Sequence, residues 1–210
     1  MSYNKVELYG GAMTVDLPSN FADVSQIRQV PDNQEVYLDK DGLTSIVFDI
    51  LERVDKPDLD ALKYHLEDIV EDDVDATKLW TSNSAVFSKL PVSLNVVLSN
   101  NPNSFGLIRR GSPQTSAYTL FATHKPSAEA VSRGKAPDFT GILLTLIRLE
   151  SQQTDLVISV NVPHVGGDYN KDDVDPQPES KAPMLDAATS FRDRILQTFE
   201  IKDWDLFVQE

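Results

Sequence analysis

Carboxylates and carboxamides are the side chains whose types and spacing invite a chemical reading of this sequence. In "RQVPDNQEVYLDKDG", Arg28 to Gly42, a proline is followed at once by Asp32, Asn33, Gln34 and Glu35. Such a phrase is either a turn that starts a strand or a polar surface presented by one. "YHLEDIVEDD", Tyr64 to Asp73, places Glu67, Asp68, Glu71 and Asp72 on what apolar spacing makes the outer face of a helix. Glu67 and Glu71 repel at a four-residue separation, and the stretch reads as a solvated face or as a binding surface. "DYNKDDVDPQPE" puts Asp168, Asn170, Asp172 and Glu179 at positions one, three, five and twelve of a calcium-binding loop. Its sixth position is Asp173 where a glycine is needed, Pro176 and Pro178 interrupt it, and a strand-like run precedes it. Calcium binding is therefore not expected.

Other chemistry finds no footing. His65, His124 and His164 lie too far apart in sequence for a metal-binding motif. There is no phosphate-binding glycine loop, no dinucleotide fingerprint and no G-x-S-x-G. The absence of cysteine excludes thiol catalysis, disulfides and cysteine zinc sites. A small-molecule or hydrolytic domain would need a pocket with convergent polar groups that no motif announces.

The elements that must position these side chains are legible in outline. "VELYGGAMTVDLP" reads as two extended pieces hinged at Gly10-Gly11. Asp23 suits the cap of a short helix with Val24 and Ile27 on one face, stopped at Val30 by Pro31. "EVYL" and "TSIVFDIL" read as strands joined by a turn from Asp39 to Gly42. In the second, Ile46, Phe48 and Ile50 share one face, and Val47, Asp49 and Leu51 share the other. Asp49 is thus an acid on an apolar face: either a partly buried functional carboxylate or an edge or rim position. A helix follows in which Pro57 suits the first turn and Leu59, Leu62, Leu66, Ile69 and Val70 recur at three- and four-residue spacing as one apolar face. "NVVLS", "SAYTLFATHK", "GILLTLIRLE" and "TDLVISVNVP" read as further strands. In the last, Leu156, Ile158, Val160 and Val162 oppose Val157, Ser159 and Asn161. A mobile acidic loop is expected near 164–183, then a helix from Met184 to Phe199 with Met184, Ala188, Phe191, Ile195 and Phe199 on one stripe.

The expected class is α+β: an antiparallel sheet with helices packed on both sides, as one domain over 1–210. No apolar stretch approaches the roughly 20 residues of a membrane helix, and no signal-type segment opens the chain. A soluble intracellular protein is expected. Its 33 acids against 19 bases, a formal charge of -14, repel nucleic acid and anionic membranes. The same charge either attracts a basic protein partner or simply maintains solubility.

"ELYGGA", "DVSQIRQVPDNQEVYL", "SIVFDILE", "YHLED" and "TLIRLESQQTDLVISVNVP" occur together and in this order. Together they resemble the Mog family of Ran guanine-nucleotide release factors, from Glu7 to about Phe207. Between Trp80 and Phe139 the chain departs from that pattern. The resemblance implies a sandwich similar to photosystem PsbP proteins. It also implies a nuclear protein, found in the cytoplasm as a second compartment, that binds the GTPase Ran and promotes loss of its nucleotide. No cofactor and no metal are implied, and the protein would be a monomer without covalent chemistry. The alternative is an adaptor that holds Ran together with a second Ran-binding protein and does not exchange nucleotide. The residues the resemblance assigns to the partner surface are Asp32, Asn33, Gln34 and Glu35 on the turn, Asp23 and Arg28 on the adjoining short helix, and Glu67 and Asp68 on the later one.

Overall fold

Two long strands that are apolar on both sides organise the chain. β8 (Phe139–Leu149) and β9 (Thr154–His164) form a hairpin from Phe139↔His164 to Leu149↔Thr154. Strands with no polar face are stable only where both faces of a sheet are covered. The computed structural model describes residues 1–25, 30–70, 74–90, 115–132, 136–166 and 183–207, with only the backbone of 130 and 183–185. Around the hairpin it adds β3 (Phe21–Asp23), β4 (Gln34–Asp39), β5 (Ser45–Glu52), β6 (Thr77–Ser84) and β7 (Thr115–His124). These make a seven-stranded antiparallel sheet in the order β3-β4-β5-β9-β8-β7-β6.

Each face has its own core. On one, Ile46, Phe48, Leu143, Ile147, Leu156, Ile158, Val160 and Val162 are buried. They lie under a small sheet of β1 (Tyr3–Leu8), β2 (Met13–Pro18) and β10 (Glu200–Ile201), and under α3 (Pro183–Thr198). Ala188, Phe191 and Ile195 supply the buried stripe of α3, and Phe199 follows its end. On the opposite face, Leu120, Ala122, Ile142, Leu144, Leu146 and Val157 pack against α1 (Asp58–Ile69). A short α2 (Ala128–Ser132) follows β7. The expected α+β class, with helices on both sides of an antiparallel sheet, is what forms. Among the described residues no helix is long and apolar enough to cross a membrane.

Several local expectations need correction. Asp23 ends β3, paired with Tyr37, because Val24 N–H donates to Val36 O and holds the chain extended there. Its carboxylate does cap, but the cap is an Asx turn in which Oδ1 accepts from Ser25 N–H at 2.8 Å. The expected short helix extends over residues 26–29, outside those described; so do "NVVLS", the calcium-like stretch and most of the acidic loop. In α1, Pro57 is the residue before the first turn. Leu59 is exposed, while Ala61, Leu62, His65, Leu66 and Val70 face inward. β6 was not expected, because "TKLWTSNS" has no apolar alternation; as an outer strand of the sheet it needs none.

Candidate functional site

The turn after Pro31 is closed by the backbone. Gln34 N–H donates to Pro31 O at 2.9 Å, and Asn33 is bonded twice across to β5. Its carbonyl accepts from Ile50 N–H at 2.9 Å, while its Nδ2 donates to Ile50 O at 3.1 Å. Asn33 is therefore a strand-end clip as much as a surface residue. Asp32 is exposed at the tip. From Gln34 onward the chain is strand, and successive side chains point to opposite faces. Residues 32–35 thus do not form one presented surface, as the sequence phrase suggested.

Glu35 turns toward the face covered by the small sheet. Its Oε1 accepts from Tyr9 N–H at 2.6 Å. Tyr9 has φ 51, a left-handed value that costs a non-glycine residue about 1 kcal/mol or more, and Gly10 and Gly11 continue at φ 66 and 95. The Tyr9 hydroxyl also donates to Phe48 O at 2.8 Å and to Asn33 O at 3.1 Å, which locks the strained turn against β4 and β5. Burial pushes the Glu35 carboxyl above the usual range, the Tyr9 N–H opposes this, and the charge of Asp23 adds to it. Tyr37 on the same strand faces this carboxyl, but no bond of ordinary geometry reaches its buried Oε2. Glu35 is a clamp on the β1–β2 turn, and Asp23 lies on its side of the sheet. Arg28 falls outside the described residues.

Gln34 points the other way, where a compact acidic surface forms. Its Nε2 donates to Asp49 Oδ1 at 2.7 Å, across the register pair Gln34↔Asp49. β5 lies between β4 and β9, so Asp49 is no edge residue; it is half-buried within the sheet. Burial raises its carboxyl, the Gln34 amide opposes this, the charge of Asp68 raises it further and His65 lowers it. Asp68 and Glu67 are exposed on the last turns of α1. Of the expected residues, the structure therefore bonds Gln34 to Asp49 and brings Asp68 near enough for its charge to act on that carboxyl, with Asn33 and Asp32 at the near end of the strands and Glu67 beside Asp68 on the helix. The gathering rests on the docking of a helix onto a sheet, which no spacing in sequence reports.

Beneath this surface lies a buried polar network that sequence reading missed. Arg148 is 2% exposed and Asp155 is fully buried. Arg148 Nε donates to Asp155 Oδ1 at 3.1 Å, and Nη1 donates to Lys56 O at 2.7 Å and Asp58 Oδ1 at 3.0 Å. Its Nη2 donates to Val54 O. Asp155 Oδ2 accepts from His65 Nε2 at 2.9 Å and from Val54 N–H at 3.2 Å. The Tyr118 hydroxyl donates to Asp58 Oδ2 at 2.6 Å. Burial alone would raise Asp155, but the bonds from His65 and Val54, then the Arg148 charge and bond, outweigh it and hold the carboxyl low. The signal was present: an arginine inside "GILLTLIRLE" and an aspartate at the head of "TDLVISVNVP" face each other as Arg148↔Asp155.

Residues 6–163 match the family model described as Ran-interacting Mog1 protein. The nuclear import protein MOG1 of Saccharomyces cerevisiae is 35% identical over 176 residues, covering 78% of this chain and 67% of that one. A probable Ran guanine nucleotide release factor of Dictyostelium discoideum is 28% identical over 214 residues, covering 99% and 97%. The 1.9 Å crystal structure of the Saccharomyces cerevisiae Ran-binding protein Mog1p superimposes with a TM-score of 0.66 at 27% identity, covering 99% of this chain and all of that one.

Proposed function

The chain belongs to the Ran-interacting Mog1 protein family, and from that membership we propose that it binds the small GTPase Ran and promotes release of Ran's guanine nucleotide, in support of nuclear protein import. It acts as a monomeric single domain in the nucleus and cytoplasm, as a regulator that makes and breaks no covalent bond. The observation that carries the reading is the family match over residues 6–163, which includes both β4–β5 and α1.

The surface we assign to Ran is the acidic one: Asp49, Gln34 and Asp68, flanked by Asp32, Asn33 and Glu67. A release factor must bind the nucleotide-free GTPase more tightly than the loaded one, and nucleotide then weakens its binding by the same factor. Carboxylates suit that task. They can stand in for phosphate beside a phosphate-binding lysine, or compete for the surroundings of Mg²⁺. Asp49 is half-buried and feels the charge of Asp68, so an ammonium or guanidinium from the partner relieves a repulsion as it makes a bond.

Release of a fluorescent guanine nucleotide from Ran, followed against concentration of this protein, tests the reading. Asp68→Lys lies on an exposed helical position and is expected to lower the release rate at least about tenfold while leaving the melting temperature unchanged. An unaltered rate in the folded variant would remove this surface from the mechanism. A wild-type rate that does not rise with concentration would favour the adaptor reading, in which Ran is held with a second Ran-binding protein.

A further inference from the structure

We propose that His65 is a positioning residue for the carboxylate surface: through Asp155 it fixes the end of α1 over the sheet and so sets Asp68 against Asp49. The inference rests on the assignment of that surface to Ran and adds to it a residue that the partner does not touch. His65 is 3% exposed, and its Nε2–H ends on Asp155 Oδ2 at 2.9 Å. Asp155 is itself held rigidly, by Val54 N–H on the same oxygen and Arg148 Nε on the other. The bond therefore ties α1 to a fixed point and not to a side chain that could follow it.

The placement of that point is what matters. Asp155 pairs with Leu51, and Asp49 stands two residues earlier on β5, hence on the same face. Asp68 follows His65 by three residues, close to one turn along the same side of α1. His65 thus lies between the fixed carboxylate and the pair of acids at the surface. Among the described residues, Leu66, Ile69 and Val70 also pack this end of α1 onto the sheet, through apolar contacts that tolerate small slides and rotations. The hydrogen bond is directional and does not.

Binding of nucleotide-free Ran to the full chain tests this with His65→Leu, His65→Gln, Asp68→Asn, Asp49→Asn and the double variant His65→Leu/Asp68→Asn. Glutamine carries an N–H at about the reach of Nε2; leucine carries none. His65→Leu is expected to weaken binding about tenfold and His65→Gln to restore it to within about threefold of wild type. If His65 acts through the placement of Asp68, the double variant binds no more weakly than the weaker single one; independent effects multiply. Should His65→Leu fail to fold, His65→Asn, whose shorter amide stops short of Asp155, replaces it in the comparison. Equal binding by the leucine and glutamine variants, or multiplied losses in the double variant, overturns the inference. If Asp68→Asn and Asp49→Asn both bind Ran as wild type does, the surface assignment fails instead, whatever the His65 variants do.

Discussion

Removal of the Arg148 guanidinium is the most demanding test of how this face is held together. Arg148→Met keeps much of the apolar stem and deletes four donated hydrogen bonds, to Asp155, Asp58, Lys56 O and Val54 O. Two consequences follow. Asp155, fully buried, loses the cation that offsets its burial, and in the segment between β5 and α1 Lys56 O loses the Arg148 donor while Val54 O is left with the Lys56 N–H. Breaking a buried ion pair from one side costs about 3–5 kcal/mol, because the remaining charge stays buried without its partner. His65 and Val54 N–H still reach Asp155, which argues for the lower part of that range. For a chain of this size about 3 kcal/mol corresponds to a fall in Tm of roughly 6–12 °C. Urea unfolding followed by the fluorescence of Trp80 and Trp204 gives the loss directly, provided the m-value is unchanged. Arg148→Lys is expected to recover less than half, since one ammonium cannot span acceptors that a planar fork reaches on separate nitrogens. A loss below about 1 kcal/mol for Arg148→Met would show that the network is not what fixes the approach to α1, and the reasoning built on it would fall.

Two further outcomes are expected. Asp49→Asn keeps an acceptor for the Gln34 amide and removes a charge that burial and Asp68 penalise, so it is expected to be more stable than wild type at neutral pH yet weaker on Ran. Since the folded-state pKa of Asp49 is raised, its cost is present once it is ionised; the stability advantage of the variant is lost as pH falls through that raised pKa and is gone below about 3.9, the unfolded value, which paired melting curves from pH 7 to 3 would check. Tyr9→Phe removes the hydroxyl bonded to Phe48 O and Asn33 O and is expected to cost about 1–2 kcal/mol in urea unfolding, with no cost indicating that the left-handed turn is held by Glu35 alone.

How much of this was legible in the sequence follows from what each feature depends on. The central strands were readable because their apolar runs are long, and β5 was read correctly enough that Asp49 stood out as an acid on an apolar face. The carboxylate cluster was not readable as a cluster. Asp49 and Asp68 belong to different elements, and it is the docking of α1 over β7 and β8, on the face of the sheet that Asp49 shares, that brings the charge of one within reach of the other. Adjacency misled in the opposite sense at Gln34 and Glu35. They read as one polar phrase, but β4 begins at Gln34 and sends them to different faces, Gln34 to Asp49 and Glu35 to Tyr9. Leu59 was misjudged because leucine spacing alone fixes a helix face only to within about a residue. The inward position goes to His65, whose bond to Asp155 cannot be inferred from hydropathy.

The two carboxylates on this face also suggest how a binding acid differs from a structural one on the same sheet. Asp155 has an arginine, an imidazole and a backbone N–H, so its charge is answered within the molecule and a partner cation could add little. Asp49, one pleat away on the neighbouring strand, is half-buried and among the described residues is hydrogen-bonded through Oδ1 by the neutral amide of Gln34. An amide orients a carboxylate without cancelling its charge; a lysine or arginine at position 34 would do both. The arrangement leaves Asp49 aimed, partly desolvated and, among the described residues, without a cation bonded to it, a state that is unfavourable in the free protein and relieved when a cation arrives. The satisfied network beneath is what makes that tolerable, since an acid that could relax into solvent or toward Arg148 would lose its advantage. Gln34→Arg therefore separates orientation from charge: it keeps a donor to Asp49 but supplies the cation from within. It is expected to raise stability and to depress Ran binding together, and a variant that binds Ran as well as wild type would mean that the charge of Asp49 is not what Ran reads.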